Sequence, residues 1–163
     1  MKDDGNLKIK EKKLKEAEGL YRDGLMHLSS VKNDNAELNK LKVVLHQNLS
    51  IVLNQTGNYK DTIENCTLAL AVDGQAFKAL YHRHVAHLKL KNYDQATEDL
   101  KAAIKLQPAN KQFRADFETL KVEKKKAAMG EQEVMKKFFE QGVYNEKENA
   151  SNAREYDALP SFL

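Results

Sequence analysis

The sequence predicts an all-α protein with an internal repeat, and three observations lead there. Apolar residues recur at steps of three and four along most of the chain. Helix-hostile residues are few among the 163, with 2 Pro and 7 Gly, and a 34-residue echo joins two segments of the middle third. Hydrophobic residues at 41% and charged residues at 31% fit amphipathic helices better than a sandwich, a barrel or a collagen-like chain.

The first 30 residues hold two helical segments. Lys2 and Asn6 stand four apart on the first. Leu14, Ala17, Tyr21, Leu25 and Leu28 line one stripe of the second, expected from about Lys12 to Leu28. Ser29, Ser30, Asn33, Asp34 and Asn35 then favour a loop, because their short polar side chains compete with the helical backbone. Periodicity resumes with Leu38, Leu41, Val44, Leu45, Leu49, Val52 and Leu53 and stops at Thr56-Gly57-Asn58. From Tyr59 to Tyr93 is 34 residues, and the same step carries Cys66 to Leu100, Ala69 to Ala103 and Gly74 to Pro108. Upstream, Tyr21 and Gly24 correspond to Cys66 and Ala69 at a step of 45, so about eleven extra residues fall near Ser29 to Leu41.

A period of 34 with an aromatic, small residues and a proline at these offsets resembles the tetratricopeptide repeat (TPR), whose unit is two antiparallel helices. The resemblance implies a right-handed TPR superhelix of three helix pairs plus a C-terminal capping helix. Three repeats are expected over 1–106, at about 1–30, 38–74 and 76–108. A capping or extension helix is expected over 109–141, carrying Phe113, Phe117, Leu120 and Val122, the first three of which would cover the last apolar face, with an interruption at Gly130. A flexible tail is expected over 142–163, where periodicity is lost.

Five residues further resemble the two-carboxylate clamp of TPR co-chaperones, which holds a C-terminal Asp through its side-chain and main-chain carboxylates. The family pattern is Lys with Asn four later, Asn nine before the Gly of the next turn, then Lys with Arg four later. Lys2 and Asn6 supply the first pair, Asn48 precedes Gly57 by nine, and Lys78 begins the last pair. His82 stands where the pattern has Arg. Arg83 lies one residue on, roughly 100° around the helix, and is expected to face helix packing. Lys and Asn suit this chemistry, because charge-assisted and amide donors together replace the water around a doubly anionic chain end. Imidazole lacks the permanent charge and planar fork of Arg, so weaker binding with affinity rising from pH 8 to pH 6 is the expectation.

What the resemblance implies is a non-enzymatic co-chaperone adaptor. Its ligand would be the C-terminal Glu-Glu-Val-Asp of heat shock protein 90 or heat shock protein 70. The segment Leu41 to Leu49 and the long helix that carries it look most like the TPR module of large immunophilins, in which a peptidyl-prolyl isomerase domain precedes the repeats. No such domain is in this sequence, so an excised module or a protein consisting of the adaptor alone is expected. Two alternatives stand beside it: a TPR scaffold for an internal segment of another protein, and the targeting module of an isomerase whose catalytic part is absent.

Other features point away from chemistry. His82, His84 and His87 invite a metal, but in the repeat register His84 and His87 fall on helix-packing positions, so no metal or cofactor is expected. Cys66, the only cysteine, occupies the aromatic position of the second repeat and is expected to be buried and inert. A lone cysteine and the absence of 18 consecutive apolar residues fit a cytoplasmic protein without a membrane span. A net charge of +3 is too small to indicate a nucleic-acid binder. The basic run Lys124 to Lys126, with Lys136, Lys137, Phe138 and Phe139, reads first as a solvated face; calmodulin is the partner such an amphipathic basic helix would otherwise suit.

Overall fold

The computed structural model describes residues 1–31 and 35–140. Among them are seven helices and no strand: α1 (Lys2–Lys10), α2 (Leu14–Ser29), α3 (Ala36–Thr56), α4 (Tyr59–Val72), α5 (Phe77–Lys89), α6 (Tyr93–Leu106) and α7 (Lys111–Glu140). Asn33, Asp34 and the expected tail at 142–163 lie outside the described residues. The chain divides into two compact units, Met1–Lys121 and the segment from Val122 onward.

Three helix-to-helix turns within the first unit share one geometry. Lys12, Gly57 and Lys91 adopt φ values of 61°, 80° and 62°, and the next residue in each case bonds back five positions. These bonds are Lys13 N to Lys8 O at 2.9 Å, Asn58 N to Leu53 O at 2.8 Å and Asn92 N to His87 O at 2.9 Å. This closure satisfies carbonyls that the end of a helix leaves open and reverses the chain into an antiparallel partner. The left-handed residues are separated by 45 and 34 positions, the same two steps read from the side chains. Much of the extra length falls in α3, which has 21 residues against 13 in α5. Asn35 starts α3 by accepting the Leu38 amide at 2.8 Å, the usual service of an N-cap.

Each pair buries small and apolar residues against its neighbour. Ala17, Tyr21, Leu45, Leu49, Val52 and Leu53 form one cluster. Val43, Cys66, Ala69, Ala76 and Ala79 form a second. Leu80, Ala96, Leu100, Ala103, Phe113 and Leu120 form a third, with Phe117 packed against it. The first turns of α7 thereby cover the apolar face of α5 and α6. Val122 is 52% exposed. Gly130 does not interrupt α7, which continues to Glu140. Val44 is exposed where periodicity suggested burial, and its neighbour Val43 is buried instead.

Gly5 has a separate function in packing. A Cβ on Gly5 would lie 2.5 Å from Cε1 of Tyr21, so only glycine lets the aromatic ring rest against the α1 backbone. Tyr21 is fully buried as a result.

Arginines link successive pairs. The Arg83 guanidinium donates to both oxygens of Asp99, at 2.7 Å and 2.9 Å, and to Thr67 Oγ1 at 3.1 Å, joining α4, α5 and α6 by a planar fork. Arg22 donates to Asp61 on α4 at 3.0 Å and to Glu18 at 2.9 Å. Among the described residues no helix is long and apolar enough to cross a membrane.

Candidate functional site

The five residues of the expected clamp fall on α1, α3 and α5, the first helix of each pair. Helical spacing puts Lys2 beside Asn6 on α1 and Lys78 beside His82 on α5. The structure joins the first of these groups to Asn48: its Nδ2 donates to Asn6 Oδ1 at 2.9 Å. Lys2 is half exposed, with its ammonium 3.4 Å from Asp3 Oδ1. Such a pair at the surface holds the side chain only weakly.

Lys78 is exposed and His82 half-buried. Burial and the adjacent Lys78 ammonium push the His82 imidazole down to about 4. Both causes oppose adding a second positive charge there. In the chain without its ligand both effects favour the neutral ring, a donor and acceptor, and work against the response expected between pH 8 and pH 6. Binding by the wild-type chain should be flat from pH 8 to pH 6, and His82→Arg should tighten it by about tenfold at every pH by adding a permanent charge with a bidentate fork. Calorimetric titration at three pH values checks both, and a steep rise in wild-type affinity toward pH 6 would show His82 titrating in that window.

Two side chains that the sequence did not flag stand against this group. Tyr21 on α2 donates its hydroxyl to Asn6 Oδ1 at 2.8 Å. Asn54 on α3 donates from Nδ2 to the His82 carbonyl at 3.0 Å, linking the helix that carries Asn48 to the helix that carries Lys78. The Asn54 Oδ1 is buried without a hydrogen-bond partner. Tyrosine at a packing position gave a signal only for burial, and a lone asparagine within a helix gave none.

The remaining candidates are engaged elsewhere. Arg83 is committed to Asp99 and Thr67, away from Lys78 and His82 as its position on the helix implied. His84 is buried, its Nδ1 2.9 Å from the Ala96 carbonyl oxygen, and His87 lies 3.9 Å from Asp99. Burial lowers the pKa of both. Among the described residues no group of three or more His, Cys, Asp or Glu is placed to hold a metal ion. Cys66 is fully buried, 3.2 Å from Ser50 Oγ, and burial pushes its thiol up to about 11, which leaves it unreactive at neutral pH. In the second unit, Val134, Met135 and Phe138 line an open apolar surface of α7.

Comparison with known proteins agrees with this architecture. The model of the Fis1 C-terminal tetratricopeptide repeat matches residues 78–121. Peptidyl-prolyl cis-trans isomerase FKBP4 of Bos taurus is 29% identical over 144 residues, covering 86% of this chain and 31% of FKBP4. The chain thus spans about a third of the length of the curated relatives it matches. The C-terminal TPR-containing domain of a Plasmodium falciparum FK506-binding protein superposes with a TM-score of 0.72 at 26% identity, over 78% of this chain and 88% of that one. The second TPR domain of human RPAP3, solved in complex with the HSP70 peptide SGPTIEEVD, gives 0.62 at 26% identity, over 74% and 91%. With three like turns, helix pairs packed in series and these likenesses, the chain has the TPR fold and is similar to the TPR region of the large immunophilins.

Proposed function

We propose that this chain is a non-enzymatic co-chaperone adaptor that captures the C-terminal Glu-Glu-Val-Asp of heat shock protein 90 or heat shock protein 70. Lys2, Asn6, Asn48, Lys78 and His82 would hold the two carboxylates of the terminal Asp. The observation that carries this reading is the bonded pair of amides, Asn48 to Asn6 at 2.9 Å. Their residues come from helices 42 positions apart in sequence, and an amide pair flanked by Lys2 offers several donors to one anionic group. Lys78 adds the second ammonium that a dianionic chain end requires. A homologous domain, that of RPAP3, was solved with a peptide ending in the same four residues, which supports the ligand class.

Within a longer polypeptide of the FKBP4 kind, the same module would deliver an isomerase to the chaperone, and the capture chemistry would be unchanged. A scaffold gripping an internal segment would have no use for a terminal carboxylate. Calorimetric titration with the free-acid and C-terminally amidated forms of both chaperone peptides separates the readings. Amidation removes one of the two charges the clamp binds, so affinity should fall by about tenfold to a hundredfold, as for loss of a charged hydrogen-bonded contact. Equal affinity for acid and amide would favour the scaffold.

A further inference from the structure

We propose that Tyr21 is a positioning residue for the carboxylate clamp. Its hydroxyl fixes which end of the Asn6 amide faces the ligand. The inference rests on the clamp reading and deepens it.

A carboxamide has a chemically distinct end on each side: a carbonyl oxygen with two lone pairs, and an NH2 with two donors. Only the NH2 end attracts a carboxylate; the oxygen repels it. An asparagine in solution presents either end, because turning the amide about its terminal bond costs little. In a clamp half of those orientations would be wrong.

Asn6 does not have that freedom. Its Oδ1 accepts the Tyr21 hydroxyl at 2.8 Å and Asn48 Nδ2 at 2.9 Å, which uses both lone pairs. With the oxygen held by these two donors, Nδ2 is left on the opposite side with its hydrogens available for a ligand. Reversing Asn6 alone would place its Nδ2 against the Asn48 NH2 and forfeit that bond, and would turn the Tyr21 hydroxyl from donor to acceptor. The second amide is oriented by the same contacts, since Asn48 gives an N–H to Asn6 and its side chain also hydrogen-bonds with Tyr21.

Tyr21 can do this only because of how it is seated. It is fully buried, so no water competes for its hydroxyl. The ring reaches Asn6 because residue 5 is glycine, where a Cβ would stand 2.5 Å from the ring. A phenylalanine in the same seat would keep the packing and lose the hydroxyl. Burial also raises the pKa of the phenol, so the hydroxyl keeps its proton at neutral pH.

The test is a double-mutant cycle in the full chain, read by calorimetric titration with the free-acid chaperone peptide. Tyr21→Phe should weaken binding by about tenfold while the chain still unfolds cooperatively by circular dichroism. Asn6→Ala should weaken it by about tenfold or more, and adding Tyr21→Phe to Asn6→Ala should change affinity by less than about twofold, because the hydroxyl acts through an amide no longer present. Unchanged affinity in Tyr21→Phe overturns the proposal. So does an equal loss in both backgrounds, which would mean the hydroxyl affects packing alone. If the wild-type chain binds acid and amide alike, the clamp itself fails and the positioning role falls with it; if only the cycle fails, the clamp stands without Tyr21.

Discussion

A chain ending at Gln107 loses its cooperative thermal transition, while one ending at Lys126 melts close to the temperature of the full chain. The difference lies in the start of α7, which carries none of the five proposed ligand contacts. Phe113 and Leu120 are 5% and 1% exposed and sit in one cluster with Leu80, Ala96, Leu100 and Ala103. Burying two such side chains contributes roughly 3–6 kcal/mol. Phe117 adds partial burial, and Phe113 stacks on Tyr81 with ring centroids 4.8 Å apart. Removing the segment also strips the Tyr81 hydroxyl of Asp116, its acceptor at 2.9 Å. Domains of this size are stable by about 5–15 kcal/mol, so the loss approaches the whole margin. In a stacked array the damage reaches the clamp as well, because Lys78 and His82 are on α5, the helix whose other face is uncovered. Circular dichroism melts of the two truncations decide it. A chain ending at Gln107 that melts cooperatively at the full-length temperature would show that α6 needs no cover.

The repeat was legible because its period is carried by side chains that pack: Ala69 and Ala103, Cys66 and Leu100 occupy equivalent buried seats. The turn that generates the period was legible at only one of three places. Gly57 marks a left-handed residue by its chemistry, but Lys12 and Lys91 adopt the same conformation against the ordinary preference of an L-residue. There the backbone closure bonds at Lys13 and Asn92 fix the geometry. At the candidate site, spacing alone picked out Lys2 with Asn6 and Lys78 with His82, since i, i+4 is a property of one helix. What spacing could not supply was anything that depends on two helices. The Tyr21 hydroxyl meets Asn6 only because α1 and α2 approach at Gly5, and the His82 imidazole is pushed down by burial, which the sequence of α5 does not specify. The eleven-residue offset was legible as a length but not as a place; much of it became additional turns of α3.

Lys78→Ala and Asn48→Ala should each reduce affinity for the free-acid peptide by about tenfold to a hundredfold, from the 1.5–3 kcal/mol of a hydrogen bond to a charged group. The two losses have different causes. Lys78 is exposed, and its removal subtracts an ammonium that a chain end with two negative charges would otherwise meet. Its loss should be larger at low ionic strength, where screening of an exposed charge is weakest. Lys78→Ala also takes away one of the two causes that depress the His82 imidazole, so in this variant the histidine pKa rises. Asn48 acts through geometry. Without it Asn6 Oδ1 keeps a single donor, the Tyr21 hydroxyl, and the ligand loses an amide contact that salt does not screen. Its loss should hardly vary with salt. Neither substitution touches a buried apolar cluster, so helix content and melting temperature should stay near those of the wild type. Titrations of both variants at low and high salt, with circular dichroism on the same samples, check each element. Wild-type affinity in either variant would remove that residue from the clamp, and equal salt dependence in the two would mean that Asn48 is not acting as a neutral hydrogen-bond donor.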